Sequence, residues 1–221
     1  MSKIESFRKN AGLSQAEMAQ KMGFSRPTYV AIEKGKKVMT ISEIKKLAKI
    51  FGISKNDLIT KDDNECQRAS MTKFKQMLFN CIKFGADRDG KMTKTKLAKL
   101  IYLCDFAHYY QELKPMTNFE YRRLSQGPVT MEFFNTIDED TSLVVESKGR
   151  AQMISLVESP AISELSKTEL NLLKKICEKW RNHNTQEIVD FTHKQTPWAV
   201  CRESEIIPYS LIHSEDPDNV Y

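Results

Sequence analysis

The residues best equipped for chemistry stand together in "SRPTY", Ser25 to Tyr29. An arginine fork at Arg26 suits a bidentate pair with guanine, and the methyl of Thr28 suits a thymine methyl. Tyr29 suits a base, a phosphate or the interior of a helical pair. Lys34, Lys36 and Lys37 follow at a spacing that suits phosphate oxygens. A second constellation, Cys104 and His108, stands at i and i+4 and superficially pairs a nucleophile with a base. Cys104 lies in an apolar run, however, where a buried thiol is inert. The four histidines, His108, His183, His193 and His213, lack ligand spacing, and no glycine-rich phosphate loop is present. The cysteines, Cys66, Cys81, Cys104, Cys177 and Cys201, are odd in number and form no C-x-x-C pair. They read as free thiols of a reducing compartment, with Cys81, Cys104 and Cys177 serving as small hydrophobes. No catalytic residue, metal or cofactor is expected.

Short helices must position the front group. Ile4, Phe7 and Arg8 begin one helix, which stops at "NAG". Ser14 and Glu17 form a capping box for a second, with Met18, Ala19 and Met22 apolar and Gly23 ending it. Ser25 caps a third that carries Pro27 in its first turn and ends at Gly35. Thr40 and Glu43 box a fourth, striped by Ile44, Leu47, Ala48 and Phe51 and closed by Gly52. Ser54 caps a short fifth through Ile59. Residues 1–61 hold 13 Lys/Arg against 5 Asp/Glu, a net +8, so the remainder carries −3 of the chain's +5. A basic front and a mildly acidic back imply two modules with different partners.

The polar, aperiodic stretch 61–70 reads as a linker between residues 1–60 and 71–213, with 214–221 an acidic, loose tail. Behind the linker, Met71, Phe74, Met77, Leu78, Ile82 and Phe84 mark an amphipathic helix. "TKTKLAKLIYLCDFAHYY" is apolar on nearly every face and reads as a central helix. "FEYRRL" reads as a strand, "GPV" as a turn into a helix, and the runs flanking "KGR" as a hairpin. Ser166 and Glu169 box a further helix, and another, in "NTQEIVDFTHKQ", ends before Pro197. Asp105 reads as the ion-pair mate of Arg122 or Arg123, or as a direct contact to a partner protein. His108 and Tyr109 read as packing residues, and Trp198 as a core plug or an exposed anchor. No window approaches the roughly 18 apolar residues of a membrane helix, and the first residues lack a signal-peptide core, so a cytoplasmic protein without a membrane partner is expected.

"LSQAEMAQKMGFSRPTYVAIEKGKK" makes residues 4–59 resemble the five-helix domain of the Cro/C1 repressor (Xre) family. The resemblance implies a helix-turn-helix whose second helix enters the major groove through Ser25, Arg26, Thr28 and Tyr29. Gln15, Lys34, Lys36 and Lys37 would touch the backbone, and Glu33 would brace the domain. Pro27 departs from the Ser, Thr or Gln usual in the family, so base specificity does not carry over. Residues 70–212 resemble the Panacea, or SocA-like, domain of bacterial and phage antitoxins. "KLAKLIYLCDFAHYY", "YRRLSQGPV" and "TQEIVDFTHKQTPWAVCRESEIIPYSL" carry that likeness. Ser125-Gln126 departs from the aromatic usual before Gly-Pro. The implied fold is mainly α: a five-helix domain, then an α+β domain with a helical core and a small antiparallel sheet or hairpin. The implied function is an antitoxin, not an enzyme, that binds a co-encoded protein toxin and represses its operon at double-stranded operator DNA. It would act as a homodimer or a toxin–antitoxin hetero-oligomer. Asp105, His108, Tyr109, Arg122, Arg123, Ser125, Gln126 and Trp198 are the expected toxin-facing residues. The competing reading is a regulator whose rear domain senses a ligand or mediates oligomerisation.

Overall fold

The computed structural model describes residues 3–53, 61–157 and 164–221. The fifth helix expected from Ser54 to Ile59 lies outside them. The chain divides into two compact units, Met1–Arg68 and Ala69–Tyr221. It is mainly helical, with two small antiparallel sheets. Among the described residues, no helix is long and apolar enough to cross a membrane.

The first unit contains α1 (Lys3–Asn10), α2 (Gln15–Met22), α3 (Arg26–Glu33) and α4 (Ile41–Phe51). Both expected capping boxes form: Ser14 with Glu17 and Thr40 with Glu43 each satisfy two backbone N–H groups at a helix start. Gly23 and Gly52 close α2 and α4 at φ 78° and 66°, a left-handed conformation that strains any residue with a β carbon. Met18, Ala19, Met22, Ile44, Leu47 and Ala48 meet in one core, onto which the stacked rings of Phe7 and Phe51 pack. Tyr29 belongs to that core at 1% exposure, so its side chain is structural and does not reach a base, contrary to the sequence expectation.

The second unit is built on the part of α5 (Lys61–Gly85) from Ala69 onward, α6 (Lys94–Glu112), α7 (Met131–Glu139), α8 (Lys167–Trp180), α9 (Thr185–Lys194) and α10 (Thr196–Ala199). The polar stretch 61–70 is the opening of α5. No Gly or Pro interrupts the chain between Lys61 and Phe84, so nothing in the backbone stops the helix. Every residue of α6 from Lys96 to His108 is buried, as its apolar perimeter predicts. The expected hairpin is β4 (Leu143–Lys148) with β5 (Ala151–Leu156), turning at Gly149; β1 (Met92–Thr93) extends it in the order β1-β5-β4.

The second sheet, β3-β2-β6, corrects two readings. "GPV" is not a turn. Ser125-Gln126 turns the chain, and Gly127–Thr130 is strand β3, paired with β2 (Tyr121–Leu124). Pro128 is tolerated there because β3 is an edge, where a missing N–H breaks no ladder bond. β6 (Ile206–Ile207) supplies the other edge and leads into 3₁₀ turns over Tyr209–Ser214 and Pro217–Asn219. The tail is not loose: Val220 is buried, and Gln195 Nε2 donates to the carbonyls of Asn219 (2.7 Å) and Val220 (3.0 Å).

Candidate nucleic-acid interface and partner-facing cleft

Two features prepare the N-terminus of α3. Ser25, extended at φ −68° and ψ 151°, accepts from Thr28 N, and its hydroxyl lies 2.8 Å from Thr28 Oγ1. That pairing fixes the Thr28 rotamer. Arg26 beside it is exposed. Gln15, Arg26 and Lys34, with Pro27 and Val30, line one surface hollow, so three of the residues singled out for DNA converge. Lys36 and Lys37 are exposed, the latter with Nζ 5.2 Å above the Phe24 ring.

A buried network orients this surface. Glu33 Oε1 accepts from Arg8 Nε at 2.7 Å, its Oε2 accepts from Gln15 Nε2 at 2.7 Å, and Arg8 Nη1 donates to the Leu13 carbonyl. The bond to Glu33 raises the Arg8 pKa above its ordinary value against the opposing effect of burial. Burial and the Glu33 charge hold the adjacent Tyr29 phenol up at about 12. Glu33 thus braces α1, α2 and α3 together. Removing it strands a buried cation, so Glu33→Ala should destabilise the first unit by about 3–5 kcal/mol, measurable by chemical denaturation followed by far-UV circular dichroism.

In the second unit the expected Asp105–arginine pair does not form. Asp105 is wholly buried and accepts five hydrogen bonds. Its Oδ1 takes the backbone N–H groups of Met116 (2.6 Å) and Thr117 (3.2 Å). Its Oδ2 takes the hydroxyls of Thr117, Tyr121 (3.1 Å) and Tyr209 (3.0 Å). Burial pushes the carboxyl pKa up, and the bonds from Thr117, Tyr209 and Met116 pull against it. Asp105 therefore fixes the fold and cannot meet a partner from this position. Arg122 Nη1 donates instead to the Ser204 carbonyl at 2.9 Å, and Arg123 pairs with Glu203.

Arg123 also lies 3.9 Å above the Trp198 ring, whose other face stacks on His193 at 3.8 Å. The Trp198 indole N–H donates to the Leu124 carbonyl, so this half-buried ring is pinned on three sides. His108 is buried with Nδ1 2.6 Å from the Lys114 carbonyl, and Tyr109 packs near the Tyr209 ring. Ser125 and Gln126 alone of the expected toxin-facing residues are exposed.

Those two stand on the rim of a cleft of about 750 Å³ whose walls include Phe133, Phe134 and Arg150. Lys99 lines its inner wall at 2% exposure, donating to the Pro128 carbonyl at 2.8 Å. Among the described residues no carboxylate pairs with it, and desolvation pulls its pKa down to about 7. Gly127, at φ 100°, admits this approach: a β carbon there would lie 2.8 Å from Lys99 Cε. Sequence reasoning passed over Lys99. The signal was Lys96 and Lys99 inside a helix apolar on every side, where a lysine has no solvated face to occupy.

The model of the Antitoxin SocA-like, Panacea domain matches residues 97–199, and the Helix-turn-helix model matches residues 4–58. An uncharacterized HTH-type transcriptional regulator of Methanocaldococcus jannaschii is 38% identical over 63 residues, 28% of this chain and 96% of that protein. One of Archaeoglobus fulgidus is 38% identical over 63 residues, 28% of this chain and 90% of its own length. The cryptic phage CTXphi transcriptional repressor RstR of Vibrio cholerae is 29% identical over 76 residues, 34% of this chain and 68% of that protein. No solved structure matches the chain.

Proposed function

We propose that this chain, which belongs to the helix-turn-helix transcriptional regulators and carries an antitoxin SocA-like Panacea domain behind its helix-turn-helix, neutralises a co-encoded protein toxin by direct binding and represses its own operon. One observation carries the reading: a helix-turn-helix with Arg26 exposed at the start of its second helix and exposed Lys34, Lys36 and Lys37 behind that helix shares one polypeptide with a separately cored antitoxin-type unit. Arg26 and the Thr28 methyl read base edges of the operator, while Gln15, Lys34, Lys36 and Lys37 hold phosphates. Dimerisation on two half-sites about one helical turn apart suits a reading domain this small. Ser125 and Gln126 face the toxin across the cleft rim, and the Trp198 indole, held between Arg123 and His193, anchors the carbonyl of the neighbouring Leu124. Nothing in this mechanism calls for catalysis.

The test is co-expression of the neighbouring open reading frame with this chain, scored for growth, alongside a reporter driven by the shared promoter. Arg26→Ala should weaken operator binding about tenfold or more, the worth of one bidentate arginine–guanine pair, and relieve repression. The same variant should protect against the toxin as well as the parent does. A neighbour harmless to growth defeats the antitoxin reading. The regulator reading then takes over, and it too has an observation behind it: a cleft with one buried, carboxylate-free ammonium suits a small anionic ligand.

A further inference from the structure

Cys81 on α5, Cys104 on α6 and Cys177 on α8 come from three helices, 23 and 73 residues apart in sequence. Their Sγ atoms all lie within 4.8 Å of one another, and all three residues are 0% exposed. Three points so spaced have a common centre no farther than about 2.8 Å from each (4.8 Å divided by √3). Thiolate–metal bonds of roughly 2.3 Å need an inward shift of only about half an ångström, within the reach of side-chain rotation. Among the described residues no His, Asp or Glu joins the group, so the donor set is three sulfurs in a water-free core. The thioether residue Met92 shares the wall: a β carbon at Gly85 would lie 3.2 Å from Met92 Cε and 3.5 Å from Cys177 Cβ.

We infer that these three cysteines form a binding site for one thiophilic divalent d¹⁰ cation in the core of the second unit. Soft thiolates without oxygen donors select such ions over magnesium or calcium. Binding exchanges three S–H bonds for three S–metal bonds and releases three protons, leaving a site of charge −1. Cations stand near it. Arg181 is within electrostatic reach of Cys177, against the opposing Glu178. Lys96 is too, its buried ammonium donating to the carbonyls of Arg181 (2.9 Å) and His183 (2.8 Å). An ion there staples α5, α6 and α8, and it sits one residue from Asp105. Sequence spacing hid the site because no two of these cysteines share a helix.

The experiment titrates cadmium into the full-length, reduced chain and reads thiolate-to-metal charge-transfer absorption in the ultraviolet. A C66S/C201S variant retains only the three clustered thiols. It should bind one equivalent, develop the band, ignore excess magnesium, and gain about 5 °C or more in Tm. Adding Cys104→Ala to that background, with circular dichroism to verify folding, should remove the band. Absence of the band in folded C66S/C201S protein overturns the inference, as does a band that survives Cys104→Ala. Should Cys104→Ala not fold, the C66S/C201S titration alone decides. Operator binding and toxin protection are separate readouts, so this result leaves the proposed function standing or falling on its own test.

Discussion

Asp105→Ala should unfold the second unit at physiological temperature while sparing the first. The substitution removes the shared acceptor of five donors in a site with no access to water. Each buried donor left unpaired costs about 1–3 kcal/mol, and a small domain's whole stability is about 5–15 kcal/mol. Asp105→Asn should cost less, about 1–3 kcal/mol, because one amide oxygen still accepts from Met116 and Thr117 while the hydroxyls rotate to accept. Both tryptophans, Trp180 and Trp198, lie in the second unit, so tryptophan fluorescence during urea denaturation isolates its transition. Equal stabilities for Asp105→Ala and the parent would remove Asp105 from its place at the centre of the fold.

Lys99→Met should act in the opposite direction. The Lys99 pKa is lowered from 10.5 to about 7 by desolvation. Between those values the unfolded chain binds the proton that the folded chain has shed. Stability therefore rises with pH across that window, and below about pH 7 the full burial penalty applies. One pKa unit corresponds to about 1.4 kcal/mol, so the swing amounts to a few kcal/mol. Methionine fills the same space without charge, at the loss of one bond to the Pro128 carbonyl. Lys99→Met should accordingly stabilise the second unit by about 1–3 kcal/mol at pH 6 and flatten its stability between pH 7 and 10. Urea midpoints by tryptophan fluorescence across that range give both numbers. Under the proposed function the same variant should protect less well against the toxin, since it strips the cleft wall of a buried ammonium.

The first unit was legible because its rules are local. Ser14 with Glu17, Ser25 with Pro27, and Thr40 with Glu43 place helix starts within a single turn, and the structure follows each. The position of Arg26 on an exposed helix start came with them. Tyr29 was the exception, since its burial in the common core depends on how the separate helices pack. In the second unit the long apolar helix and the Gly149 hairpin were equally plain. What failed there was pairing across distance. Charge complementarity pointed Asp105 at an arginine, but two backbone amides and three hydroxyls do the same work at lower desolvation cost. Gly127-Pro128 has the composition of a turn, yet the register with Arg123 makes it an edge strand. The polar tail hid an apolar anchor at Val220, and the cysteine triad exists only once three helices are packed.

The bond from Tyr209 to Asp105 spans 104 residues, and β6 pairs with β2 across a shorter but still long gap, Tyr121 with Ile207 and Arg122 with Ile206. Such separation sets a timetable during synthesis. The four front helices make their contacts among near neighbours and can fold while the rest of the chain is still being made. The second unit must wait until Tyr209 emerges. If the proposed function holds, a nascent chain that stalls or is cut before that point releases a product able to occupy an operator yet without a finished partner-binding unit. Under the proposed function, repression then comes before neutralisation in the life of each molecule, and truncated chains would repress without protecting.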